Sequence, residues 1–190
     1  HELHCDPAVF DVIVRMQAAR TAAETSRIIA DALGQYGLER FVLFVAAPPE
    51  QSFDREAILF ESGWPKGFLD KYIDQQMHRH DPVLQRARLH SSPFSWSIDE
   101  YFTSGDERER NVLLRAAAFG LRQGIMAPVH GPYGFRTCMG ATGANIDLWS
   151  EASAAVRFIA VYAVESAFRR VSPPTTAMAI TAREKEVLTW

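Results

Sequence analysis

Three short stretches hold the side chains best suited to chemistry. They are Trp64-Pro65-Lys66-Gly67-Phe68-Leu69-Asp70-Lys71-Tyr72, then Asp81-Pro82-Val83, then Pro93-Phe94-Ser95-Trp96. Trp64, Phe68 and Tyr72 recur every fourth residue, which sets three rings along one helical face. Such a face either packs as plain core or lines a hollow. Asp81 has two uses: capping the short helix that Pro82 begins, or accepting a hydrogen bond from a ligand N–H among aromatic rings. The second use gives a strong, directional contact, because the acceptor is charged and its surroundings are apolar. The chemistry indicated is binding rather than turnover. No Gly-x-Ser-x-Gly elbow, phosphate loop or dinucleotide glycine fingerprint is present, and no nucleophile with a base partner is legible. His78 and His80 lie two residues apart and off any common helical face, without Cys or Glu partners at zinc spacing, so no metal is expected.

The elements that must position these groups can be read from periodicity and punctuation. Asp6-Pro7 starts a helix with Val9, Val12, Ile13 and Met16 on one face. Thr21 and Glu24 form a capping box opening a second helix through Ile28, Ile29, Ala32, Leu33 and Tyr36, stopped by Gly37. Residues 41–47 are continuously apolar, as in a strand buried on both faces, and residues 57–60 suit a second strand. Helices are expected over 65–76 and from Pro82 through Ala87, with 93–96 extended or turn-like. Ser97 with Glu100 and Ser104 with Glu107 read as further capping boxes, the latter opening a helix that ends at Gly120. Residues 123–129 and 135–141 are strands joined through Gly131-Pro132-Tyr133-Gly134, a hairpin. A long helix covers 150–170. The expected fold is α/β: an antiparallel sheet of about five strands sandwiched between helices on both faces, α/β/α, with room for a cavity between one face and its helices.

Composition bounds the rest. The chain has 190 residues, 47% of them apolar, enough for one substantial core. A net charge of −3 does not mark these residues as a nucleic-acid surface. No apolar run approaches the ~18–20 residues of a membrane span, and no signal peptide is visible. Two cysteines, Cys5 and Cys138, do not make a disulfide framework, and a reducing cytoplasm fits. Residues 171–176, Val-Ser-Pro-Pro-Thr-Thr, have linker composition. Beyond them, Thr181 and Glu184 form a capping box before Val187, Leu188 and Trp190, the opening of a helix whose apolar stripe has no remaining chain to pack against. The expected organisation is therefore one whole domain over 1–171, a linker over 172–180, and at 181–190 the start of a second domain.

That terminal string, Thr181-Ala182-Arg183-Glu184-Lys185-Glu186-Val187-Leu188-Thr189-Trp190, closely resembles the start of the LuxR-type helix-turn-helix domain, with Ile180 where that family usually has Leu. The aromatic helix, the Asp81-Pro82 step, the Pro93 to Trp96 segment, and Gly120-Leu121, Gly124 and Pro128-Val129-His130-Gly131 are similar, in order and spacing, to the autoinducer-binding domain of the same quorum-sensing regulators. The resemblance implies a non-enzymatic receptor for an N-acyl-homoserine lactone that needs no cofactor, forms a homodimer, and binds DNA through a C-terminal domain not contained here. It implies that Asp81 accepts the amide N–H, that Trp96 packs against the lactone ring, and that Tyr72 lines the pocket near the acyl group. Leu43, Val45, Ile58, Phe60 and Val112 would shape the acyl cavity, with Leu113 and Ala116 closing it near the lactone. The pocket departs from the family pattern in four places. Trp64 replaces Tyr and removes a hydroxyl, which its indole N–H can replace if the ring turns inward. Phe68 replaces the Trp that donates to the lactone carbonyl, and Phe has no donor. Val83 and Gly140 occupy positions that often carry hydroxyls. A less polar pocket is expected, tuned to a branched, aromatic or short acyl group, or else to a non-lactone small molecule in a sensor or dimerisation domain of the same fold.

Overall fold

A single sheet divides the molecule into two layers with different interiors. The structure, a computed structural model, describes residues 7–46, 48–101, 106–130, 136–146 and 149–171. The helices are α1 (Pro7–Ala18), α2 (Ala22–Gly34), α3 (Lys66–Asp74), α4 (Pro82–Leu89), α5 (Ile98–Tyr101), α6 (Glu107–Ala118) and α7 (Trp149–Val171). The strands are β1 (Arg40–Val45), β2 (Ile58–Ser62), β3 (Phe94–Ser97), β4 (Gln123–His130) and β5 (Arg136–Thr142), in spatial order β2-β1-β5-β4-β3, and every neighbouring pair is antiparallel. Short 3-10 turns occupy Arg55–Ala57 and Met77–Arg79. This is the α/β/α sandwich expected.

Side-chain alternation along the strands sorts the sheet's residues between the layers. Phe41, Leu43, Ile125, Ala127, Met139 and Ala141 face α1, α2 and α7, joining Met16, Ile29, Leu33, Val156, Ile159 and Ala163 in one buried core. Val42, Phe44, Met126 and Cys138 face the opposite way, toward Phe68, Tyr72, Leu84, Ile98, Val112 and Leu113 on α3 to α6. The small residues of α7, Ala152, Ala155, Ala160 and Ala163, are almost wholly buried and let a long helix lie close to the sheet.

The helix starts test the capping chemistry. Thr21 Oγ1 accepts the Glu24 amide at 3.1 Å, and the Glu24 carboxylate accepts from the Thr21 and Arg20 amides at 3.3 and 2.7 Å. Those two amides hold the Glu24 carboxyl below its ordinary value. Thr21→Ala is expected to lower stability by about 1 kcal/mol, read as a reduced urea midpoint at unchanged m-value. The α6 box is formed by Asp106 and Glu109 rather than Ser104 and Glu107, because Asp106 supplies a stronger acceptor two residues later. The Ser97–Glu100 box gives way to strand pairing: Ser97 closes β3 against Gln123, and Glu100 lies 3.6 Å from Arg86. The helix α2 ends earlier than expected, at Gly34 with Gln35 as its C-cap; Gly37 follows in the turn at φ +72°, where a Cβ would lie 2.0 Å from the Asn145 carbonyl oxygen. Cys5, Ser104, the turn at 131–134 and all of 172–190, with the expected linker and second domain, lie outside the described residues.

Candidate ligand-binding site

The layer formed by α3 to α6 is hollow. A cavity of about 80 Å³ lies between it and the sheet. Val42, Phe44, Met126 and Gly140 form its floor, with Trp96 of β3 and Ile58 of β2 at the sides. Trp64, Phe68, Leu69 and Tyr72 descend from the α3 region; Asp81 and Val83 come from the start of α4; Val112, Leu113 and Ala116 come from α6, with Leu121 after it and Phe53 from the loop before β2.

The aromatic residues form a connected chain rather than separate contacts. Phe119–Phe68, Phe68–Tyr72, Tyr72–Phe53 and Phe53–Phe44 have ring centroids 5.8, 5.6, 5.8 and 5.8 Å apart, within the range of favourable aromatic pairs. Gln76 pins the loop that carries Phe53. Its Oε1 accepts the Phe53 amide at 2.8 Å, and its Nε2 donates to the Phe53 and Ile73 carbonyls at 2.7 Å each. Gln76 itself sits in the left-handed region, φ 49°, at the end of α3.

Asp81 combines both uses open to it in the sequence. Oδ1 accepts the Val83 and Leu84 amides at 2.9 and 3.2 Å, which caps α4. Oδ2 accepts the Tyr72 hydroxyl at 2.7 Å. A carboxylate offers about four lone-pair sites. Three are used here, and the remaining one belongs to Oδ2. Asp81 is half-buried and lines the cavity. Burial pushes its carboxyl above the ordinary value, against the opposing pull of the Tyr72, Leu84 and Val83 hydrogen bonds and the Arg88 charge. Burial, with the adjacent Asp81 charge and hydrogen bond, also raises the Tyr72 phenol well above its ordinary value, so Tyr72 stays protonated and donates. The site can therefore present one charged acceptor in an otherwise aromatic and aliphatic enclosure.

Most expected site residues converge on this cavity: Asp81, Trp64, Phe68, Tyr72, Trp96, Val83, Ile58, Val112, Leu113, Ala116 and Gly140. Three do not. Leu43 and Phe60 belong to the layer of α1, α2 and α7, and Val45 is half-buried outside the cavity. The cause on β1 is phase: alternation turns Val42 and Phe44 inward, so Leu43 must face away. The cause on β2 is a bulge. Phe60 pairs with Leu43 and Ile58 with Phe44, so two steps on β2 match one on β1, and Ile58 and Phe60 end on opposite sides. Trp64 approaches Gly140 with a ring carbon. A Cβ placed on Gly140 would lie 3.8 Å from Trp64 Cη2 and 3.6 Å from Met126 Cε. Phe53, Leu69, Leu121, Val42, Phe44 and Met126 were not anticipated. Buried His78 places Nε2 2.9 Å from the Gln51 carbonyl oxygen, and His80 is half-buried. Among the described residues no three His, Cys, Asp or Glu side chains gather as a metal group. Buried Cys138 has its thiol pushed up to about 12, which makes it inert.

A sandwich with an apolar cavity beside a carboxylate is suited to holding a small molecule. Comparison with known proteins makes the class specific. The autoinducer binding domain family matches residues 21–171. The transcriptional activator protein BjaR1 of Bradyrhizobium diazoefficiens is 26% identical over 181 residues, spanning 95% of this chain and 74% of that protein. Among solved structures, the N-acylhomoserine lactone dependent LuxR family transcription factor CepR2 from Burkholderia cenocepacia superposes with TM-score 0.64 at 19% identity, covering 87% of this chain and 97% of that one. SdiA in complex with octanoyl-rac-glycerol gives TM-score 0.69 at 19% identity, covering 96% and 74%. The chain belongs to the LuxR-type autoinducer-binding domain family and is a regulatory domain of that kind.

Proposed function

We propose that the cavity takes an N-acyl-homoserine lactone and that its occupancy controls DNA binding through coupled folding and dimerisation. In this reading Oδ2 of Asp81 accepts the amide N–H, Trp96 packs on the lactone, and Leu113 and Ala116 close the head-group end. Tyr72, Ile58, Val112, Val83 and Gly140 surround the acyl group. The observation that carries the reading is the carboxylate of Asp81, capped and braced on three sides, with its last acceptor direction available in an apolar cavity. Trp64 and Met126 close in on Gly140, and the bulk of this wall supports a branched, aromatic or short acyl group.

The amphipathic signal completes the hollow core, so binding and folding are linked. A ligand at 100 times its dissociation constant adds ~2.7 kcal/mol. Dimerisation then sets two DNA-reading helices, carried by a further domain, at operator spacing. The α7 helix supports this role: its core face is buried, while Phe158 and Val161 are 45% and 44% exposed, beside α1 with Phe10 and Val14 at 57% and 62%. Among the described residues no helix is long and apolar enough to cross a membrane. The proposed receptor works in the cytoplasm, where its DNA lies, and does not turn its ligand over.

The test is thermal melting and calorimetric titration with the N-butanoyl, N-isobutanoyl, N-benzoyl and N-octanoyl lactones, with octanoyl-glycerol as a probe lacking an amide. Saturable binding, a raised melting temperature and unhydrolysed lactone on recovery are expected, with N-octanoyl the weakest. Equal tight binding of all four overturns the acyl preference. No shift with any lactone overturns the lactone reading. A response to octanoyl-glycerol alone establishes the second reading, a sensor of the same fold for a non-lactone lipid. That reading draws on the acylglycerol held by SdiA.

A further inference from the structure

The cavity has an acceptor whose partner is accounted for, but a ligand bearing carbonyls also needs a donor. The Tyr72 hydroxyl donates to Asp81, and Trp64 presents its carbon edge to the floor. Trp96 is different. It lines the cavity, is 6% exposed, and its Nε1–H is buried without a hydrogen-bond partner. A buried donor left unpaired costs about as much as a lost hydrogen bond, so such groups call for an explanation.

Gly124 of the sheet packs close against this N–H. Trp96 pairs with Gly124 on β4, and Gly124 pairs with Thr142 on β5, so the three lie in one row on the cavity side. A Cβ on Gly124 would lie 3.1 Å from Trp96 Nε1, 3.1 Å from Thr142 Cγ2 and 2.2 Å from the Ala141 carbonyl oxygen. Any side chain at position 124 would press on the indole edge and on the strand beside it. Thr142 Oγ1, in the same row, is also buried and unpartnered.

We propose that Trp96 Nε1–H is the specificity-determining donor to the carbonyl of the ligand's head group. The proposal rests on the lactone reading above. Trp96 is then more than a packing surface: Asp81 reads the amide N–H from one side, and the indole reads the ring carbonyl from the other. A head group that lacks either group is discriminated against. Trp96→Phe keeps an aromatic ring in place and removes the donor.

The experiment uses this chain with the tightest lactone of the panel and its carbonyl-free counterpart, the same acyl group on aminotetrahydrofuran. The native chain is expected to prefer the lactone by about 10-fold or more, the range for one buried hydrogen bond. Trp96→Phe is expected to lose lactone affinity by that factor, leave the tetrahydrofuran compound unchanged, and so abolish the preference. Equal loss for both compounds makes Trp96 a packing residue and overturns the proposal while the lactone reading stands. If the native chain binds no lactone, both readings fail.

Should Trp96→Phe not fold, the native chain supplies the answer by NMR. Its four tryptophans are Trp64, Trp96, Trp149 and Trp190, and Phe replacements of the other three assign the Trp96 indole N–H by elimination. That resonance is expected to move downfield with the lactone and not with the tetrahydrofuran compound. A resonance indifferent to the carbonyl but displaced by Thr142→Val assigns the N–H to the Thr142 hydroxyl and overturns the proposal.

Discussion

Asp81→Asn is expected to weaken lactone binding by about 100-fold while leaving the empty domain folded. Hydrogen bonds to charged groups contribute ~1.5–3 kcal/mol, and an amide nitrogen at the Oδ2 position sets donor against donor. Asn keeps an oxygen to cap α4 through the Val83 and Leu84 amides, and its nitrogen can donate to the Tyr72 oxygen, so the local frame survives. Asp81→Ala removes the cap and strands the Tyr72 hydroxyl, so loss of function in that variant mixes binding with stability. Titration calorimetry beside thermal melting separates the two effects. Asn binding the lactone as tightly as Asp would remove the carboxylate from the recognition scheme.

The same residue sets a pH signature. Burial raises the Asp81 carboxyl in the folded domain, so the folded state holds this proton more tightly than the unfolded chain does. Stability of the empty domain from this group is then full below the ordinary carboxylate range and declines as pH rises through the raised value. Binding runs the other way, because the ligand N–H needs the ionised form: affinity falls as pH drops through that raised value. Asp81→Asn is expected to flatten both profiles. A ligand affinity that does not weaken on acidification while Asp81 is intact contradicts this assignment.

Leu43→Ala is expected to cost about 3 kcal/mol of stability and leave the rank order of ligands unchanged. Leu43 is fully buried in the layer of α1, α2 and α7, where removing a large aliphatic side chain opens a cavity that rigid neighbours cannot collapse. Chemical denaturation reads the first effect and competition binding the second. Its neighbour Phe44 faces the hollow layer, so Phe44→Ala alters ligand preference as well as stability. A change in ligand order from Leu43→Ala would place it on the cavity side and reverse the strand phase described above.

The contrast between Leu43 and Phe44 explains what was legible. The capping residues, the aromatic periodicity of α3 and the turn glycines act locally, so the helices and most strands could be read directly. Trp64, Phe68, Tyr72, Asp81 and Trp96 stood out because few positions in the chain combine rings and an acceptor at such spacing. Residues 41–45 carried no phase information: both faces of β1 are covered, every position is apolar, and the alternation that would reveal a buried face is erased. On β2 the bulge breaks the rule that residues two apart share a face, and nothing in Ile58-Leu59-Phe60 signals it. Phe53 was invisible for another reason. It comes from an irregular loop whose position depends on Gln76, twenty-three residues further on, a tertiary contact with no local pattern.

The sheet also acts as a partition between two kinds of genetic freedom. Substitutions that reshape the chamber under α3 to α6 leave the packed slab of α1, α2 and α7 untouched, so such a receptor can change its messenger without rebuilding its scaffold. Asp81 is the exception, because the carboxylate proposed to take the signal also caps α4. Drift in signal preference should therefore proceed around this carboxylate, with the surrounding walls recording each lineage's chemical dialect.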